Sequence, residues 1–96
     1  MSLKEDYDFE YLQNAAEELV IDELERQLTE KDKICKCQDC ILDMAALALN
    51  KTKPHYRVSL LGKLYTDSAH DTKYMEDIKK SVKEALNKVA KNPAHD

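Results

Sequence analysis

Cys35-Lys36-Cys37-Gln38-Asp39-Cys40-Ile41-Leu42-Asp43-Met44-Ala45-Ala46-Leu47-Ala48-Leu49-Asn50 is the stretch on which both fold and chemistry turn. Its first six residues hold all 3 cysteines of the chain. From Asp39 to Leu49 it is apolar almost all round, the pattern of a helix buried in a core. Asp39 fits the N-cap of that helix. Cys40 then falls in the first turn, and Cys35 and Cys37 in the loop before it.

Three thiols in six residues point to a metal. Cys37 and Cys40 form a Cys-x-x-Cys pair able to grip one ion, and Cys35 is close enough to join. Thiolates select zinc over hard cations. The competing readings are small buried hydrophobes or a redox pair, but a thioredoxin-like pair needs a βαβ setting that this chain lacks. Closed zinc sites take four ligands, so one remains to be found among His55, His70, His95, a carboxylate such as Asp43, or water.

Outward from this centre the chain reads as helical. With 96 residues, 1 glycine and 2 prolines, it fits a single, mainly α domain spanning 1–96 rather than a turn-rich β fold. Such a thin core gains from a metal or from a second subunit. Phe9, Leu12, Ala16, Leu19, Val20, Leu24 and Leu28 recur at helical spacing, predicting an amphipathic helix over 9–30 capped by Asp6 or Asp8. Its broad apolar face implies contact with a second chain. Thr29–Lys33 reads as a linker, and Pro54 closes the region after the buried helix. Tyr56–Ser59 and Lys63–Tyr65, joined through Gly62, predict a short β-hairpin near 56–65. A last helix, capped by Asp71 or Thr72 and ended by Asn92-Pro93, carries Met75, Ile78, Val82, Leu86 and Val89 on one stripe.

Charge divides the chain. The net charge of −4 combines residues 1–30, with ten carboxylates against Lys4 and Arg26, and residues 31–96, with thirteen cations against nine carboxylates. Duplex nucleic acid is a poor partner for so acidic a surface. No apolar run is long enough to insert in a membrane, no signal peptide is visible, and clustered cysteines suit a reducing compartment, so a cytoplasmic location is expected. Residues 44–66 contain no carboxylate yet carry Lys51, Lys53, Arg57 and Lys63, with Tyr56 and Tyr65 interleaved. Cations beside aromatic faces are what a phosphate-bearing nucleotide needs; the alternative is a solvated loop with structural tyrosines. No Gly-rich phosphate loop and no catalytic triad pattern is present.

Together, Cys-x-Cys-x-x-Cys-x-x-Asp-Met-Ala-Ala-Leu-Ala-Leu-Asn, Lys53-Pro-His-Tyr56 and Gly62-Lys-Leu-Tyr65 resemble the late competence protein ComFB family of bacteria. The flanking helices, Ala16–Leu28 and Asp77–Leu86, are similar to that family's opening and closing helices, so the resemblance spans nearly the whole chain. It implies a small, helical, homodimeric protein without enzymatic activity, acting as a regulator or adaptor linked to competence and type IV pili. Some members carry zinc on these cysteines. In relatives that end in a cysteine the tail returns to the cluster, which gives His95 the fourth ligand position here. Other members are implicated as receptors for cyclic dinucleotides (c-di-GMP or c-di-AMP), for which Lys53, Tyr56 and Arg57 are the candidate contacts.

Overall fold

The computed structural model of the chain describes residues 1–58 and 72–93. In order they form helix α1 (Leu3–Asp6), a 3-10 turn (Phe9–Tyr11), strand β1 (Gln13–Asn14), helix α2 (Ala15–Thr29), helix α3 (Gln38–Asn50), strand β2 (Tyr56–Arg57) and helix α4 (Thr72–Lys91). The architecture is a small, mainly helical domain with one two-stranded antiparallel sheet among the described residues.

Apolar spacing alone places the first long helix over 9–30, but local hydrogen bonding shortens it to Ala15–Thr29. The Asp8 side chain caps only the 3-10 turn, accepting from the Glu10 N–H at 2.9 Å. Asn14 then adopts an extended backbone and pairs with Tyr56, which excludes it from a helix. Its side-chain oxygen accepts from the Ala16 N–H at 3.1 Å, so Asn14, not Asp6 or Asp8, is the N-cap of α2. Phe9 and Leu12, on the expected stripe, are consequently 52% and 45% exposed.

The strand expected at Tyr56 is present, but its described partner differs. Tyr56–Arg57 runs antiparallel to β1, with Asn14 opposite Tyr56 and Gln13 opposite Arg57. The return strand expected at Lys63–Tyr65, and Asp71 as a cap, lie outside the described residues. A further correction concerns α3: its N-cap is Cys37 rather than Asp39, which sits inside the first turn.

The core is where α2, α3 and α4 meet. Each contributes one stripe: Val20, Leu24 and Leu28 from α2; Cys40, Met44 and Ala48 from α3; Ile78, Val82, Ala85, Leu86 and Val89 from α4. Full burial of an aliphatic side chain of this size stabilises by about 1.5–3 kcal/mol. The α3 helix is therefore buried along one face and not all round. Ile41, Ala45, Leu47 and Leu49 flank the core, whereas Leu42 is 58% exposed. At the end of α4, the Asn92 N–H donates to the carbonyls of Lys88 and Val89, and Pro93 follows.

Residues 53–55 are strapped to the start of α2 and to α4. The Asn14 side-chain oxygen accepts a second bond, from the His55 N–H at 2.8 Å, and the His55 carbonyl accepts from the Ala15 N–H. The buried Tyr74 hydroxyl donates to the Lys53 carbonyl at 2.6 Å, and burial pushes the Tyr74 phenol up from its ordinary value.

One carboxylate lies in the seam between α2 and α4. Glu23 is only 6% exposed. It accepts from Arg26 Nε and Nη2, at 3.0 and 2.6 Å, and from the Gln27 amide at 2.7 Å. Gln27 also donates to the Lys79 carbonyl, joining the two helices. The Arg26 hydrogen bonds hold the Glu23 carboxyl below the usual carboxylate value of 4.5, outweighing the opposite effect of burial. A folded-state value that is depressed gives stability that is complete above the unfolded value and is lost as pH falls through the folded one. Replacing Glu23 by Gln is expected to cost about 1–2 kcal/mol near neutral pH. Urea unfolding at several pH values should show that difference shrinking below about pH 4.5 and vanishing in stronger acid.

Candidate metal centre

The thiol cluster is built by the start of α3. Cys37 holds an extended backbone as N-cap, its carbonyl accepts from the Ile41 N–H at 3.0 Å, and its sulfur accepts from the Cys40 N–H at 3.5 Å. The positive end of the helix favours negative charge there, the setting that promotes thiolates. Cys40, one turn in, is buried in the core, while Cys35 and Cys37 face solvent. The Sγ atoms of all three lie within 4.8 Å of one another. Tetrahedral zinc with bonds of about 2.3 Å requires sulfurs roughly 3.8 Å apart, so small side-chain rotations suffice. Hydrogen bonds from the Cys37 backbone N–H, then from the Cys37 and Cys40 thiols, hold the Cys35 thiol below its ordinary value. The donor set is soft and preorganised, and it fits zinc.

The other expected ligands fare differently. His55 and Asp43 do not join this group of potential ligand atoms among the described residues. The His55 ring instead packs edge-on against Tyr74, with centroids 4.4 Å apart and planes at 71°. His70 and His95 lie outside the described residues.

The candidate nucleotide contacts sit on and beside β2. Tyr56 is 62% exposed and Lys53 faces solvent. Arg57 does not stand open beside them: its side chain is 13% exposed and pairs with Glu18 of α2 at 3.5 Å. Lys51 and Lys53 line a separate cavity of about 380 Å³ with Lys80, but Asp77 and Glu84 share its wall. Sequence reasoning missed the group that Arg26 and Gln27 form around the buried Glu23. The signal was available: Glu23 lies three residues after Val20 on the core stripe, with Arg26 and Gln27 one turn on.

Fold and site thus define a class: a small helical protein with a three-thiol group of ligand geometry at the head of a core helix. The chain belongs to the family of the late competence development protein ComFB, whose family model matches residues 13–93. Among solved structures, the late competence protein ComFB from Bacillus subtilis is similar, with a TM-score of 0.72 and 28% identity over 85% of this chain and 91% of that one. Comparison with curated proteins gave no match. No helix among the described residues is long and apolar enough to cross a membrane.

Exposure differs sharply within the cluster, so alkylation should discriminate its members. In metal-free protein, iodoacetamide is expected to modify Cys35 and Cys37 first and Cys40 roughly tenfold or more slowly, because Cys40 reacts only when the core opens. Peptide mass spectrometry over time reads the order; equal rates for all three would contradict the burial of Cys40.

Proposed function

We propose that this protein is a non-enzymatic, homodimeric adaptor or regulator of the late competence type, with a structural zinc held by Cys35, Cys37 and Cys40. The observation carrying this reading is the convergence of three sulfurs at the N-terminus of a core helix. Because Cys40 also belongs to the core, a metal there would tie the α2–α3 loop to the packed interior. That is a stabilising role and asks nothing of substrate chemistry. On the family resemblance, His95 is the fourth ligand. A shell of four protein ligands leaves no position for a reacting water, as structural zinc sites require. Elemental analysis should find one zinc per chain. Cys37→Ser and Cys40→Ser should each abolish that stoichiometry, and chelation should lower the melting temperature by more than about 5 °C. Protein that contains no zinc and melts unchanged after chelation would sink the metal reading.

A second reading rests on the exposed Tyr56 ring beside Lys53: a cyclic dinucleotide receptor, with a base stacked on the tyrosine and phosphate met by lysine. The Arg57–Glu18 pair weighs against it, since a ligand must compete for that arginine. Titration calorimetry with c-di-GMP and c-di-AMP decides. Binding that Tyr56→Ala removes would establish the receptor; absence of heat and of thermal shift with both leaves the adaptor.

A further inference from the structure

Two surfaces of opposite charge lie at opposite ends of α2. Beyond its C-terminal half, between α2 and α4, a cavity of about 580 Å³ is lined by Arg26, Lys31, Lys79, Lys80 and Lys83, with Glu30 as its carboxylate and the buried core residue Leu86 beneath it. Arg26 is committed to Glu23 and Glu30. Lys31, Lys79, Lys80 and Lys83 form no ion pair among the described residues. Lys79 also sits in the field of Glu23, yet three of these four cations lie within five residues of one helix, where like charges repel one another. They do so on a chain whose net charge is −4.

At the other end stands the arm that precedes α2. Glu5, Asp6, Asp8 and Glu10 face Lys4 alone, and every residue from Leu3 to Gln13 is exposed. Tyr7, Phe9, Tyr11 and Leu12 are among the large apolar side chains left in solvent. A segment that buries none of its aromatic residues gains nothing from its own chain's core. The arm's first twelve residues also precede the family match, which begins at residue 13.

We propose that the acidic arm of one copy seats in the basic groove of a second copy, reciprocally, about a two-fold axis. This rests on the homodimer reading above and specifies its contact. The 15 residues of α2 span about 22 Å, with the arm leaving one end and the groove opening at the other. Two such helices laid antiparallel bring each arm to the other copy's groove, so a single two-fold arrangement satisfies both contacts. Carboxylates of the arm meet Lys79, Lys80 and Lys83, while its aromatic rings lie along the lysine methylene stems. The same complementarity steers encounter and fixes register.

Sedimentation analysis of the full chain tests this. Dimer affinity should fall roughly tenfold or more between about 0.1 and about 1 M NaCl, as the Debye length contracts from about 10 to about 3 Å. Lys79→Glu with Lys83→Glu should weaken it by roughly a hundredfold, and so should removal of residues 1–12. Neither change touches a buried side chain, and melting curves of each variant confirm folding. Combining Lys79→Glu and Lys83→Glu with Asp8→Lys and Glu10→Lys should restore affinity to within about tenfold of the parent. A monomeric parent protein overturns both the homodimer reading and this contact. A dimer indifferent to salt, to arm removal and to the lysine changes leaves the homodimer standing and overturns the contact. Loss on arm removal without loss on the lysine changes, or failure of the reversed charges to rescue, overturns it equally.

Discussion

The seating of the Cys40–Met44–Ala48 face of α3 in the core is the constraint on which the rest depends. These three residues occupy successive turns of the helix and are all buried. That seating fixes the rotation of α3 about its axis, and with it the direction in which the helix start presents Cys37 and Cys35. A helix rolled by one residue would bring Ile41 inward in place of Cys40 and pull one sulfur away from the other two. The thiol geometry is thus a by-product of core packing, and the core includes one of the thiols. Neither can be altered without the other registering it.

Much of this was legible in the sequence because periodicity and thiol spacing are local. The stripe of α4 and the position of Cys40 in a first turn follow from residues a few places apart. The errors arose where distant partners decide. Nothing near Asn14 announces that Tyr56 pairs with it across 42 positions, and that pairing ended the helical run early and stranded Phe9 and Leu12 in solvent. Likewise Asp39 is the better N-cap by residue type, yet Cys37 takes the position because its sulfur reaches the Cys40 N–H. Arg57 read as an open cation in an acid-free stretch; Glu18, from another element, engages it.

The division of charge along the chain becomes spatial in the fold. Carboxylates gather in the arm and in the first turn of α2, where the helix dipole favours them; cations occupy the last turn of α4 and the seam beside α2. In that seam the one buried carboxylate, Glu23, is fully engaged by Arg26 and Gln27. It therefore organises the groove wall, and the nearby Lys79 adds to the charge that holds its carboxyl low.

The Asn14 carboxamide oxygen accepts from both Ala16 and His55. One atom therefore closes the start of α2 and holds the strap that precedes β2. Fraying of the helix and detachment of the two-stranded sheet are coupled, because a displacement of Asn14 costs a hydrogen bond in each. The N-terminal turn of α2, β1 and residues 53–57 thus form one cooperative unit of local opening. Whatever fastens onto the Lys53–Tyr56 surface would therefore bear on the base of the acidic arm, some forty residues away in sequence but joined to it by direct hydrogen bonds.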